Sequence, residues 1–282
     1  DHSFNFYMPH GALPPSKWKL SHSQIAKGDI LQETPSHWLR DSYFAWDLKD
    51  NEFSRKKLSS HSGQDYCIYK LISTLEIEFS HEPHLFLDIG ANDGLTNSST
   101  FFLEIQGWKG ILIEPNVELN NTLLSRKNSI VINTAISDVS GIGILSTSNK
   151  AHMLGTLIED PNSFSIQVLN CAVNYFNENE FKKIPVSVIS TKIIMEFFLK
   201  QFGMPPNFLK IDVEGKEHNI VKSLVSSGIY PDFIEIENNL RESLCDQYLS
   251  NIGYKCIIVI DAHIEIWSFH DIKKESILSI FY

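Results

Sequence analysis

The stretch FLDIGANDGLTNSST, residues 86–100, begins as an apolar run, meets Asp88, and then sets Gly90 and Gly94 around Asn92 and Asp93. A plain turn needs one glycine, with an Asn or Asp beside it. An acid ending an apolar strand, followed by an amide, a second acid and two glycines, is the pattern of a strand running into a ligand loop. Glycines there let backbone approach a ligand that a side chain would block.

Outward from this stretch, apolar segments alternate with helical ones. Cys67, Ile68, Leu71, Ile72 and Leu75 recur at helical spacing and predict a helix over about 64–77. The strand 85–89 follows, then a helix at 97–106, a strand at 110–114, a helix at 116–127 and a strand at 129–136. The rhythm breaks over 141–184 and resumes with a strand at 185–189, a helix at 191–201, a strand at 207–212, a helix at 216–227, a strand at 232–237 and a helix at 241–251. Continuous apolar strands alternating with helices predict an α/β fold, a mostly parallel sheet covered on both faces. The segments YKCIIVI (254–260) and EIWSF (265–269) lie too close for a crossover helix and predict an antiparallel hairpin at the sheet edge. The 141–184 segment is expected to be an insertion or lid over the ligand edge.

Residues 1–60 read as an extension preceding the domain of 61–282. They hold Trp18, Trp38 and Trp46 among the chain's five tryptophans, and prolines at 9, 14, 15 and 35 break them up. Aromatic anchoring over the domain is the expected role; a platform for a sugar is the alternative. The chain opens with Asp1, so it is expected to be processed or to be one domain of a longer multi-domain enzyme. A net charge of −10 argues against a nucleic-acid partner. No apolar run reaches the roughly eighteen residues of a membrane span. Four scattered cysteines without metal-site spacing suit a reducing, cytoplasmic setting.

In an open α/β sheet, ligands bind beyond the carboxyl ends of the strands. Each strand end here carries an acid: Asp88 and Asp93, then Glu114 with Pro115, then Ser137-Asp138, then Asp212-Val-Glu214, then Glu235-Ile-Glu237-Asn238. Glu114 lies twenty residues past Gly94, at the end of the second strand, where an acid can accept bonds from both hydroxyls of a ribose. The glycine spacing is G-x-x-x-G, not the G-x-G-x-x-G that seats a pyrophosphate on a helix N-terminus. Acids at 88 and 93 oppose two phosphates and favour a cofactor bearing an amino group and a positive sulfonium, S-adenosylmethionine over NAD.

FLDIGANDG, LIEPN, AISD and LKIDVEGKEHNIVKSL, with the lead-in SHSGQDY at 60–66, together resemble the FkbM family of S-adenosylmethionine-dependent methyltransferases over about residues 60–240. The resemblance implies a class I methyltransferase, Rossmann-like fold with strand order 3-2-1-4-5-7-6, strand seven antiparallel. It implies O-methylation of a hydroxyl on a sugar in a glycan or glycosylated natural product, so that the partner is a sugar or glycan acceptor. It places Asp88, Gly90, Asn92 and Gly94 on the methionine side of the cofactor and Glu114 by the ribose, with Asp93 and Pro115 as further cofactor-binding candidates. Ser137 and Asp138, with the backbone of Ala135 and Ile136, fall by the adenine. Gln64 and Asp65 match the lead-in without an assigned role.

A sugar hydroxyl is a weak acid and needs a base or a metal to help remove its proton. Asp212, Glu214, Glu217 and His218 are the candidate bases. Alternatively Asp212, Glu237 and Asn238 supply oxygen ligands for Mg²⁺. Glu214 and Glu217 also sit where a helix start favours acids whatever their function. Two other functions remain open: a non-catalytic cofactor- or glycan-binding module of this fold, and a nucleotide-sugar oxidoreductase or epimerase. The latter needs a third glycine and a Tyr-x-x-x-Lys pair, which YFNENEF does not supply.

Overall fold

A strand whose side chains are apolar in unbroken succession must be covered on both faces. That constraint shapes the protein, here a computed structural model describing residue 60 and residues 64–74, 83–148, 155–158, 181–238, 243–260 and 264–272. The extension 1–59 and most of the expected insertion lie outside the described residues. In chain order the elements are α1 (Gln64–Thr74), β1 (Leu85–Ile89), α2 (Ser99–Ile105), β2 (Lys109–Ile113), a 3-10 turn (Val117–Leu119) leading into α3 (Asn120–Leu123), β3 (Ser129–Ile132), β4 (Ala135–Ser137), β5 (Gly141–Thr147) and β6 (Thr156–Ile158). They continue with β7 (Lys182–Ser190), α4 (Thr191–Phe202), β8 (Phe208–Ile211), α5 (Glu217–Ser227), β9 (Phe233–Glu237), α6 (Ser243–Asn251), β10 (Lys255–Ile260) and β11 (Ile264–Ser268).

The main sheet has seven strands in the order β10-β11-β9-β8-β1-β2-β3. β1 pairs in parallel with β2 and β8, and β11 lies antiparallel between β9 and β10. With β8 to β11 counted as strands four to seven, this is 6-7-5-4-1-2-3, the expected class I order with an antiparallel seventh strand. Alternate residues serve the two faces. Leu87, Ile89, Ile111, Leu209, Ile211 and Ile234 pack under α4, α5 and α6 through Phe198, Ile220, Val221, Leu224 and Leu249. Phe86, Leu112, Phe208 and Phe233 pack against Ile68 and Leu71 of α1 and Leu103 of α2. Each such side chain, removed from water, contributes about 1.5–3 kcal/mol. Among the described residues no helix is long and apolar enough to cross a membrane.

Two expected elements differ. The helix expected at 116–127 is a 3-10 turn and one α turn, because the Asn116 side chain accepts from Glu118 N at 3.1 Å and Ser125 turns its hydroxyl onto Thr122 O at 2.6 Å. The strand expected at 129–136 breaks at Asn133-Thr134. Asn133 is held by Asn120 and by the Glu114 carbonyl at 3.1 Å, and the Thr134 hydroxyl donates to Ser187 O at 3.0 Å. The chain there leaves the main sheet for a second one, ordered β4-β7-β5-β6. The segment 141–147, which broke the α/β rhythm, is a seven-residue strand of that sheet, antiparallel to β7.

The loop after β1 is pressed against the loop after β8. Gly90 has φ +85°, and a Cβ built on it falls 1.7 Å from the Asp212 carbonyl oxygen. Its N–H and that of Ala91 both donate to Ile113 O at 3.0 Å, and Asp212 N donates to Ile89 O at 3.0 Å. The side chain is therefore excluded by the protein's own backbone, not only by a ligand. Gly90→Ala is expected to lower unfolding free energy by ~4 kcal/mol in urea titration, since both the backbone conformation and the contact are lost. A loss near the ~1 kcal/mol typical of an ordinary substitution contradicts this packing.

Candidate active site

Strand register brings charged residues into a row. On the α1–α2 face of the sheet, Asp88 of β1 pairs with Lys210 of β8, and Lys210 pairs with Glu235 of β9. All three are buried, at 0%, 5% and 2% exposure. The Lys210 ammonium lies 3.7 Å from Asp88 Oδ1 and 3.0 Å from Oδ2 of Asp212, just beyond the end of its own strand. Burial alone would strip its proton, but Asp212, Asp88 and Glu235 raise its pKa and hold it charged. The start of α2 closes over the row. Ser98 caps the helix by accepting from Phe101 N at 3.1 Å, which presents the next two hydroxyls to the sheet. Ser99 donates to Glu235 Oε1 at 2.7 Å and Thr100 to Asp88 Oδ2 at 2.6 Å. Asp88 Oδ1 and Glu235 Oε2 are buried without a hydrogen-bond partner.

A second buried pair anchors this lid of helix. Arg126 Nε donates to Glu104 Oε2 at 2.7 Å, Nη1 to Gly94 O at 2.5 Å and Nη2 to Thr100 at 3.4 Å. Burial pushes the Glu104 carboxyl up, but bonds from Ser129 and Arg126 outweigh it and hold the group below its ordinary value. On the lead-in side, Asp65 is buried and bonded to Ser60 through both its carboxylate and its N–H. Burial, then the charges of Glu235 and Asp65, push the Cys67 thiol up to about 12, so α1 lies against the same acids and its thiol is inert.

The expected cofactor residues are placed as follows. Glu114, 8% exposed, accepts from Asn92 N at 2.9 Å with Oε2 and from Asn116 N at 2.8 Å with Oε1. Burial raises it to about 7 against those two bonds. Asn92 has φ +52° and Gly94 +74°, so the loop turns sharply beneath Glu114. Pro115 follows, half-buried. Asp93 closes its own turn, accepting from Leu95 N at 2.9 Å, Thr96 N at 2.7 Å and the Thr96 hydroxyl at 2.7 Å. Asp88 is committed to Thr100 and Lys210. The charge argument that rested on Asp88 and Asp93 therefore passes to other acids, because these two are engaged within the chain. Ala135, Ile136 and Ser137 are buried in β4, and Asp138 accepts from Asn219 at 3.4 Å and pairs with Lys222 at 3.6 Å. This acid follows a strand of the second sheet, so the row of five strand-end acids is four on the main sheet.

Asp212, Glu214 and Glu237 come together. Burial, the charge of Glu237 and a hydrogen bond with that carboxyl raise Asp212, opposed by Lys210. Burial and the charges of Glu237, Asp212 and Glu217 raise Glu214 well above its ordinary value. Glu217 instead turns back on its own loop, accepting from Val213 N at 3.2 Å and from Gly215 N at 3.0 Å. His218 stands half-buried on the first turn of α5. Asn238, expected beside Asp212 and Glu237 as a magnesium ligand, donates its amide to Glu265 Oε1 at 3.2 Å, and Glu265 also accepts from Trp267 at 3.0 Å. Among the described residues no group of three or more His, Cys, Asp and Glu has the arrangement of a metal site. The cation beside Asp212 is Lys210, and Asn238, the third expected magnesium ligand, is turned to Glu265.

Lys210, Ser99, Thr100 and the inward role of Glu235 were missed in the sequence. The available signal was Lys210 itself, a lone charge inside the apolar run NFLKI, at even spacing from Asp212.

The raised acids fix the sign of a pH effect. Burial first, and then Asp88 and Asp212, push Glu235 up to about 8, opposed by Lys210 and Ser99; burial pushes Glu217 up to about 7 against its backbone bonds. A carboxyl raised in the folded state contributes stability that is full below its unfolded value and is lost as pH rises through its folded value. Lys210, raised, stays charged throughout. Tm is expected to fall as pH rises from about 5 to about 8.5, and Glu235→Gln is expected to flatten the upper half of that slope. A Tm that climbs across the window contradicts the arrangement.

A family model of the methyltransferase FkbM domain matches residues 88–256, from the end of β1 to the start of β10, and takes in Asp88, Glu114, Lys210, Asp212, Glu214, Glu235 and Glu237. No curated protein matches the chain. Among solved structures, methyltransferase FkbM from Methylobacillus flagellatus KT is similar at 13% identity and a TM-score of 0.38, over 66% of this chain and 43% of that one. With 88–256 matched, more than half its length, the chain belongs to the methyltransferase FkbM domain family.

Proposed function

We propose that the chain is an S-adenosylmethionine-dependent O-methyltransferase acting on a hydroxyl of a sugar, in a glycan or a glycosylated natural product. The observation that carries the cofactor is Glu114. Each of its carboxylate oxygens accepts one backbone N–H, from Asn92 and Asn116, and each keeps lone-pair capacity for one more donor. Two vicinal ribose hydroxyls supply two such donors. Gly90, Asn92 and Gly94, all three with left-handed backbone, take the methionine side. Ser137 and Asp138, with Ala135 and Ile136, take the adenine side. S-adenosylmethionine supplies, when bound, a methyl carbon already activated by its sulfonium.

The chain's own residues have two tasks, to orient the acceptor and to take its proton. Asp212 is the proposed base. Its carboxylate faces the Lys210 ammonium on one side and Glu237 on the other, and its raised pKa brings it toward that of a neutral-range base. Glu237 and Glu214 are proposed to accept from neighbouring acceptor hydroxyls. Glu217 holds the loop, and His218 has no assigned step. A polyol acceptor suits a cluster of carboxylate acceptors beside one buried cation.

Titration calorimetry is expected to show S-adenosylmethionine binding, weakened about tenfold in Glu114→Gln by loss of charged hydrogen bonds. With an acceptor found among sugar-bearing compounds, Asp212→Asn is expected to lower kcat by about a hundredfold or more while leaving cofactor affinity nearly unchanged. Because Asp212 is raised, kcat should climb with pH above the ordinary carboxylate range. EDTA is expected to leave the rate unchanged. Absence of binding at millimolar cofactor removes the reading, and a chelator-sensitive rate restores the metal.

A further inference from the structure

Three non-glycine residues among those described have left-handed backbone: Asn92, Asn97 and Glu214, with φ +52°, +56° and +56°. Asparagine adopts that conformation readily; glutamate does not, so its surroundings must impose it. Glu214 lies in the loop Asp212-Val213-Glu214-Gly215, between the proposed base and α5. One restraint is local: Glu217 accepts from the N–H groups of Val213 and Gly215, on either side of it. The other comes from far along the chain. The Thr156 hydroxyl, on β6 of the second sheet, donates to the Glu214 carbonyl at 2.8 Å. Thr156 is fully buried, and its strand is registered to β5 through the Ser146–Thr156 pair. The second sheet therefore reaches the loop that carries two of the three clustered acids.

We propose that Thr156 is a positioning residue: its hydroxyl fixes Glu214 in the left-handed conformation, and through it the second sheet sets the acceptor side of methyl transfer. The proposal rests on the functional reading above in assigning Asp212 and Glu214 to the acceptor. The bond holds the carbonyl of a residue whose carboxyl is raised well above its ordinary value by burial and then by the charges of Glu237 and Asp212. Without the hydroxyl, the loop retains Glu217 on its amide side only and can relax toward ordinary backbone angles. The cofactor side keeps its own restraints, from Glu114 to Asn92 and from Asp93 to Leu95 and Thr96. The effect is expected on acceptor use and not on cofactor binding.

The test is amide hydrogen exchange on the full chain, with Thr156→Val as the near-isosteric variant lacking the hydroxyl and Thr156→Ala as the second if valine crowds the site. Peptides covering 212–217 are expected to exchange about fivefold to tenfold faster than wild type, the factor that one hydrogen bond is worth. Peptides covering 86–94 should be unchanged, and Thr156→Ser should restore protection. In methyl transfer, kcat/KM for the acceptor is expected to fall about tenfold with the cofactor Kd within about twofold. Unchanged exchange at 212–217 overturns the proposal whatever the activity. Equal loosening at 86–94, or an equal loss of cofactor affinity, also overturns it by reducing Thr156 to general support of the fold. Failure of the wild type to bind S-adenosylmethionine overturns the functional reading instead, and the exchange data still decide whether Thr156 holds the loop.

Discussion

The Lys210 ammonium, buried in the middle of a seven-stranded sheet, is the constraint on which the surrounding structure depends. A charge taken out of water must be met by opposite charge or its burial costs several kcal/mol. Here Asp88 and Glu235 meet it from the two flanking strands and Asp212 from the end of its own. The converse also holds: Lys210 opposes the burial and mutual repulsion that raise Asp212 and Glu235. Parallel pairing sets which residues face each other, so register on β1, β8 and β9 is tied to charge as well as to apolar packing. A one-residue slip would send Lys210 into the apolar layer beneath α4 and α5.

Helix α2 is placed by the same cluster. Its first residues, Ser99 and Thr100, bond to Glu235 and Asp88, and Arg126 ties Thr100 and the Gly94 carbonyl to Glu104. The loop between β1 and α2 is thereby fixed at both ends, and Gly90 lets it lie against the Asp212 carbonyl. The glycine-rich loop and the DVEG loop are two halves of one edge: one meets Glu114, the other carries Asp212 and Glu214. The second sheet touches the loop after Glu114, through Asn116 and Thr147 at 3.4 Å, and the DVEG loop, through Thr156 and Glu214 at 2.8 Å. In the proposed function, methyl transfer aligns a cofactor and an acceptor across this edge, and the same supports would serve both sides.

The strands and the strand-end acids were legible because they rest on local signals, continuous apolar runs and the residues that follow them, whereas the strand order was legible only through the family resemblance. LFLDI, FLKI and FIEIE each announce a buried parallel strand, and the short spacing of 254–269 announces a hairpin. The break at Asn133-Thr134 was not legible, because SIVINTAI is uniformly strand-like and the reason for leaving the sheet lies in Ser187 and Asn120. Lys210 escaped for a related reason. Its partners are 122 and 25 residues away in sequence, and only register shows that Asp88, Lys210 and Glu235 share one face. Asp93 misled in the opposite direction: a carboxylate beside two glycines reads as facing a ligand, yet it closes its own turn.

The most direct test of the central claim is a double-mutant cycle between Lys210→Met and Asp212→Asn, with unfolding free energies from urea titration. Lys210→Met alone is expected to cost roughly 3–5 kcal/mol, because it leaves buried carboxylates uncompensated. In the Asp212→Asn background the same change should cost clearly less, a coupling of about 1.5 kcal/mol or more. Additive effects, agreeing within ~0.5 kcal/mol, would contradict the account of Lys210 as the charge that holds the site together.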